Sequence, residues 1–334
     1  EDSMKHAYRL ISILLVFIGI SSGKSQVTLQ DSFLVDGLQR TFMIYVPAVY
    51  SPGTPVPLVF NLHGYGSNNF EQFLYTNFQP IADTANFIMV LPNGSLDLTN
   101  TLSWNTFGIS SVDDVGFISQ LIDTISSRYT IDAERIYSTG MSNGGFMSYE
   151  LACQLSNRIT AIASVTGSML TSKFGQCNPG LPVPIMQIHG TMDQTVPYAG
   201  NFAFSSIDSL LGFWIAKNNC FPIAEFNAIP DINLNDNCTA EHYVWNSSST
   251  MSSVEFYKIL GGDHSWPGAI INLNTTNMDF SASKEIWRLF SQYRKSDLVS
   301  SNVPGIAMQP SLEVFPNPSS GKFNFHLNSN ENFK

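Results

Sequence analysis

Charge is scarce in this chain. Of its 334 residues only 13% are Asp, Glu, Lys or Arg, and 16 Lys and Arg stand against 26 Asp and Glu. A formal net charge of −10 leaves no basic field to neutralise phosphates, which argues against nucleic acid or an anionic membrane as partner. Cysteine is scarce too. Cys153, Cys177, Cys220 and Cys238 form no CxxC pair and no Cys/His cluster, so neither a metal nor another cofactor is expected. The amino-terminal apolar run, Leu10 to Ile20, is eleven residues long, too short to span a bilayer. Hydrophobic residues, by contrast, make up 43%, ample for the core of one large α/β domain or two small ones. Ser, Thr and Asn supply the solubility that charge does not.

The run Leu10 to Ile20 follows Lys5, His6 and Arg9 and precedes Ser21-Ser22-Gly23. That order reads as a secretory signal over residues 1–25, with Met4 as its start and residues 1–3 upstream of it. Such a signal predicts export, with no stable membrane insertion once it is removed. Four cysteines suit an oxidising destination and allow three pairings, among which sequence neighbours are favoured: Cys153 with Cys177 and Cys220 with Cys238.

Beyond the signal, Val27 to Val35 and Gln39 to Val46 flank Asp36-Gly37, a hairpin signal. Apolar runs at Leu58 to Leu62, Phe87 to Leu91, Arg135 to Ser138, Ala161 to Val165 and Pro184 to Ile188 then alternate with helical stretches. The helices are expected near Asn69 to Phe78, Val112 to Tyr129, Gly144 to Leu155 and Phe204 to Lys217. Alternation of this kind predicts βαβ units, and so an α/β fold with a mostly parallel central sheet flanked by helices. In the second helix Val115, Ile118, Leu121, Ile122, Ile125 and Tyr129 recur at helical spacing, and Ser111 is the expected cap. A strand at Val254 to Leu260 and a helix from Phe280 to Tyr293 close a catalytic domain assigned to residues 26–295.

Gly140-Met141-Ser142-Asn143-Gly144-Gly145 lies between a strand-like and a helix-like run. The bare pattern is common by chance, so its context has to decide. A serine hydroxyl becomes a useful nucleophile only beside a base, an acid that orients the base, and donors for the oxyanion. Asp193, in His189-Gly190-Thr191-Met192-Asp193, and His264, in Gly261-Gly262-Asp263-His264-Ser265-Trp266, follow in the chain order Ser, Asp, His, each in a loop leaving a strand. His63-Gly64-Tyr65-Gly66 fits an oxyanion loop, with N–H donors from Tyr65 and Asn143 and with His63 bracing the turn. His189 ends a strand and reads as a packed residue, not a base. Asp113 and Asp114 form a rival carboxylate pair, but their place at a helix start favours a capping and dipole role. Trp104, Phe107, Met141, Phe146 and Trp266 are candidates for a substrate platform, about half of them expected to be core.

These motifs, together with Leu91-Pro92-Asn93-Gly94 and Val112-Asp113-Asp114-Val115-Gly116-Phe117, resemble the secreted feruloyl and acetylxylan esterases and polyhydroxybutyrate depolymerases of the α/β-hydrolase fold, from about Leu38 to Tyr293. The resemblance implies Ser142 as nucleophile, Asp193 as acid and His264 as base. Fewer than twenty residues separate the Ala161 to Val165 and Pro184 strands, so no large cap domain is expected and the site should be open. An open site suits an ester attached to a polymer: feruloyl or acetyl on plant polysaccharide, or an aliphatic polyester. A noncatalytic carbohydrate-binding scaffold and a serine peptidase are the competing classes.

Residues 296–311 lose periodicity and read as a linker. After them, Leu312-Glu313-Val314-Phe315-Pro316-Asn317-Pro318 and Lys322-Phe323-Asn324-Phe325 form a strand, a turn and a second strand. Residues 312–334 resemble the opening of the C-terminal sorting domain of type IX-secreted proteins of Bacteroidetes, which implies secretion machinery as a partner.

Overall fold

The computed structural model describes residues 25–271 and 275–299, and the strands at 312–316 and 323–327. Residues 1–24 of the signal segment and residues 300–311 of the linker lie outside the described residues.

The chain opens with β1 (Val27–Val35) and β2 (Leu38–Val46), an antiparallel hairpin. Asp36 and Gly37 both take positive φ, 49° and 79°, as a tight two-residue hairpin turn requires. There follow β3 (Val56–Leu62), α1 (Asn69–Thr76), α2 (Gln79–Ala85) and β4 (Ile88–Pro92), then a small ribbon of β5 (Ser95–Leu96) and β6 (Leu102–Ser103). Next come α3 (Asp114–Arg128), β7 (Ile131–Met141), α4 (Asn143–Gln154), β8 (Ala161–Val165), β9 (Ile185–Gly190) and α5 (Ile207–Lys217). The domain ends with β10 (Glu225–Ala228), β11 (Thr239–Asn246), β12 (Ser253–Leu260), α6 (Ala282–Ser291) and α7 (Lys295–Leu298). Farther on, β13 (Leu312–Pro316) and β14 (Phe323–Leu327) pair antiparallel, as their sequence predicts.

Ten strands form one sheet in the order β1-β2-β4-β3-β7-β8-β9-β12-β11-β10. The six from β4 to β12 are parallel; β1-β2 and β11-β10 flank them antiparallel. Successive strand residues face opposite sides, so each strand feeds two cores. Leu58 and Phe60 of β3 join Phe117, Leu121, Met147 and Trp214 of α3, α4 and α5 on one side. Val59 joins Tyr75, Ala82, Ile286 and Phe290 of α1, α2 and α6 on the other. With helices on both faces, the middle of the sheet is buried on both sides, which is why its strands read as continuous apolar runs. Between β8 and β9 there is one 3₁₀ turn, Thr171–Lys173, and no cap domain.

Two local expectations change. The cap of α3 is Asp113, not Ser111: its Oδ1 accepts from the Gly116 N–H at 2.8 Å. Of the two expected disulfides, Cys153–Cys177 is present and Cys220–Cys238 is not; both of the latter cysteines are free. Cys238 immediately precedes β11, whereas Cys220 bridges to Ser247, just past the other end of that strand. Eight residues of strand hold the two apart by roughly 26 Å, far beyond the ~7 Å a disulfide can span between Cα atoms.

Candidate active site

Ser142 sits between β7 and α4 with φ 54° and ψ −118°, a conformation that costs a non-glycine residue roughly 1–3 kcal/mol. The neighbours hold it there. The Ser142 N–H donates to the Val165 carbonyl at 2.8 Å, and the Ser142 carbonyl accepts from the Phe146 N–H at 3.0 Å. The glycines at 140 and 144 are a matter of space. A Cβ on Gly144 would lie 2.1 Å from the Leu62 carbonyl oxygen, and one on Gly140 would lie 2.5 Å from the Gly144 carbonyl carbon. Strand, turn and helix meet too closely here for any side chain.

Asp193 and His264 leave the ends of β9 and β12, which are parallel neighbours. Their loops are stitched together: the Thr191 N–H donates to the Ile259 carbonyl, the Met192 N–H to the Gly262 carbonyl and the Gly261 N–H to Thr191 Oγ1, each at 2.9 Å. Asp193 is 2% exposed. Its Oδ1 accepts from the Thr195 and Val196 N–H groups at 2.9 and 2.8 Å, and its Oδ2 lies 2.8 Å from His264 Nδ1. With Nδ1–H held by the carboxylate, Nε2 is the ring nitrogen left for chemistry.

His189 is fully buried below this pair, and burial lowers its pKa to about 4. Its tautomer follows from Gln187. The Gln187 Oε1 accepts from the Tyr149 hydroxyl, so its Nε2 donates to the Gly167 carbonyl and to His189 Nδ1. His189 Nε2–H then donates to the Val196 carbonyl at 2.8 Å, bracing the loop that carries Asp193. It is a packed, neutral residue, as its position at the end of β9 suggests.

The loop after β3 is braced as well. His63 is buried, its pKa lowered to about 4 by desolvation, and its Nε2 accepts from the Gly94 N–H at 2.9 Å. The Gly66 N–H goes to the Leu102 carbonyl and the Ser67 N–H to Gly64, leaving the Tyr65 N–H outside the hydrogen bonds of this turn. Asn143 is the first residue of α4, so its N–H has no carbonyl one turn earlier to bond. The two candidate oxyanion donors therefore flank Ser142 from two separate elements.

Ser142 and His264 share a cavity of about 520 Å³ with Tyr65, Gln72, Leu74, Tyr75, Met141, Thr195 and Ile271. No hydrogen bond joins the Ser142 hydroxyl to His264, a looseness common before substrate binds. Of the five platform candidates only Met141 lines this cavity. Trp104 is buried, with its indole N–H on the His63 carbonyl at 3.0 Å, and Trp266 is buried, with its indole N–H on Ser283 Oγ at 3.1 Å. Both stand behind the cavity wall, not in it, because each indole N–H found a partner inside the protein. Phe107 and Phe146 pack on Phe204 instead. What sequence reasoning missed is the α1 wall, Gln72 and Tyr75, which the spacing i, i+3 on a helix directly after the His63 loop would have flagged.

The rival carboxylates are structural. Asp113 caps α3, and Asp114 is buried against Arg40, 2.6 Å away, where it also accepts from the Asn105 N–H.

A profile of the family described as Phospholipase/Carboxylesterase matches residues 46–210. The chain carries a domain of the α/β-hydrolase fold. The chain is 27% identical over 278 residues to the bifunctional acetylxylan esterase/xylanase of Neocallimastix patriciarum, a match covering 83% of the chain and 37% of that protein. It is 28% identical over 190 residues to feruloyl esterase C of Emericella nidulans, covering 55% of the chain and 63% of that relative. The chain thus spans less than two thirds of the length of either. Among solved structures, the acetyl xylan esterase from Aspergillus awamori superposes with a TM-score of 0.56 at 13% identity, over 79% of this chain and 99% of that one, a likeness of fold. Among the described residues no helix is long and apolar enough to cross a membrane.

Proposed function

We propose that the domain hydrolyses carboxylic esters borne on a polymer, through an acyl-enzyme on Ser142. The observation that carries this reading is the 2.8 Å contact of His264 Nδ1 with the buried Asp193 carboxylate, at a histidine that shares its cavity with the strained Ser142. His264 Nε2 takes the Ser142 proton as Oγ attacks the ester carbonyl, and Asp193 stabilises the imidazolium. The oxyanion is held by the Tyr65 and Asn143 N–H groups. Collapse expels the alcohol, which receives the proton from His264. Water, deprotonated by the same nitrogen, then attacks the acyl carbon and returns Ser142 and a free acid.

An aryl acyl group is the first choice. A cavity of about 520 Å³ walled by Leu74, Tyr75, Met141 and Ile271 is far larger than an acetyl group needs and falls in the range that encloses whole small molecules. Feruloyl esters of plant polysaccharide fit that size and the exported, cap-free character of the domain. Acetyl esters of xylan are the second reading, favoured by the match to the acetylxylan esterase/xylanase across 83% of the chain. A polyhydroxybutyrate-type polyester is the third. Export would run through the signal of residues 1–25 and, through residues 312–334, a type IX machinery.

Comparing kcat/KM on methyl ferulate, acetylated xylan and polyhydroxybutyrate ranks the three. A higher value on acetylated xylan or polyester than on methyl ferulate overturns the aryl assignment. Failure of a fluorophosphonate to label the protein would favour a noncatalytic carbohydrate-binding scaffold instead.

A further inference from the structure

The α1 wall of the cavity carries an acceptor with no protein donor. Gln72 is 2% exposed, and its amide orientation is fixed by a chain of neighbours. The single Thr76 hydroxyl proton goes to the Gln72 main-chain carbonyl at 2.8 Å, so Thr76 Oγ1 must accept from Asn61 Nδ2, 2.7 Å away. Asn61 Oδ1 is therefore an acceptor, and the group 2.8 Å from it must be the Gln72 amine, Nε2. That leaves Gln72 Oε1 without a hydrogen-bond donor, on a residue that lines the cavity holding Ser142 and His264. It is not among the buried polar atoms sealed off from solvent, so it is reached through the cavity. Tyr75, three residues on, faces the same side of α1. Its hydroxyl oxygen accepts from the Trp266 N–H at 3.1 Å, which leaves the hydroxyl proton to donate.

One acceptor and one donor on adjacent turns, on a wall where Glu71 is already engaged by the Ser67 hydroxyl, complement a group that both donates and accepts. Resting on the aryl-ester reading above, we infer that Gln72 and Tyr75 select acyl groups carrying a hydroxyl, with the substrate hydroxyl donating to Gln72 Oε1 and accepting from the Tyr75 O–H. Each partner alone would tolerate an apolar acyl group at the cost of a desolvated polar atom. A site built to bond a hydroxyl rejects an analogue lacking it far more strongly than a methylene pocket rejects a wrong length.

The test compares kcat/KM for methyl 4-hydroxycinnamate and methyl cinnamate, which differ by that hydroxyl alone. The wild-type protein should prefer the hydroxylated ester by at least about tenfold. Gln72→Met keeps length and removes the acceptor, and should bring the ratio to within about twofold of one; Tyr75→Phe should also lower it. Reading the ratio cancels any general loss of activity or folded protein, and the wild-type value needs no variant at all. A wild-type ratio near one, or a ratio that neither substitution moves, overturns the inference while leaving the aryl-ester reading standing. Turnover of p-nitrophenyl acetate with neither cinnamate hydrolysed would sink the aryl reading and this inference with it.

Discussion

Asn143 and Trp104 are tied by two opposed hydrogen bonds: the Trp104 N–H donates to Asn143 Oδ1 at 2.7 Å, and Asn143 Nδ2 donates to the Trp104 carbonyl at 3.1 Å. A third, from Nδ2 to Thr106 Oγ1 at 2.8 Å, completes the clamp. Trp104 in turn holds the His63 carbonyl, so one relay of contacts connects the start of α4 with the loop bearing Tyr65. The residue after the elbow serine thus fixes the spacing of both proposed oxyanion donors.

Asn143→Ala keeps the backbone N–H but frees its position. The expected outcome is a fall in kcat of about tenfold to a hundredfold, below the 10²–10³ cost of deleting a donor outright, with KM little changed. Steady-state kinetics on p-nitrophenyl acetate checks it; an unchanged kcat would deny the clamp a role.

The adjacent carboxylates of α3 should separate cleanly. Asp113→Ala removes a helix cap and should cost about 1 kcal/mol. Asp114→Ala strands Arg40, whose side chain is 3% exposed, and should cost about 3–5 kcal/mol. Urea unfolding of the two variants measures the difference, and equal losses would contradict it.

Much of this architecture is readable from residues in order. β8 spans Ala161–Val165 as its apolar run predicts, and the elbow, the acid loop and the histidine loop are local motifs whose meeting follows from parallel strand order. The rest depends on partners far along the chain. A tryptophan beside a candidate catalytic residue looks like a platform until its N–H is found on His63 or Ser283. The free state of Cys220 and Cys238 depends on β11 keeping them at its opposite ends. β10 went unseen because Glu225–Ala228 is exposed throughout and, at four residues, too short for its alternation to stand out.

Two buried histidines should make the protein acid-sensitive. Burial lowers the pKa of His63 and of His189 from 6.5 to about 4, so the folded protein keeps both neutral where the unfolded chain binds protons. Stability is therefore full above pH 6.5 and falls as pH drops from there towards 4, by roughly 3 kcal/mol per histidine if the whole shift is expressed. Below about pH 4 both states are protonated and these two groups add no further loss. Urea midpoints at pH 7, 5.5 and 4.5 test this; a flat profile refutes it, and His189→Gln should make the slope shallower.

Thiol counting checks the cysteines. The denatured, unreduced protein should show two reactive thiols, on Cys220 and Cys238, and peptide mapping should link Cys153 to Cys177. Replacing both linked cysteines by serine should cost about 2–4 kcal/mol. A linked Cys220–Cys238 peptide would contradict the fold around β11.

The central claim is that Ser142 is the nucleophile. Its most direct test is kcat/KM of Ser142→Ala on p-nitrophenyl acetate, with the folded state checked by circular dichroism. The account predicts a fall of at least about 10⁴-fold in a protein that melts cooperatively like the wild type. A folded variant retaining a tenth or more of the wild-type value would contradict it.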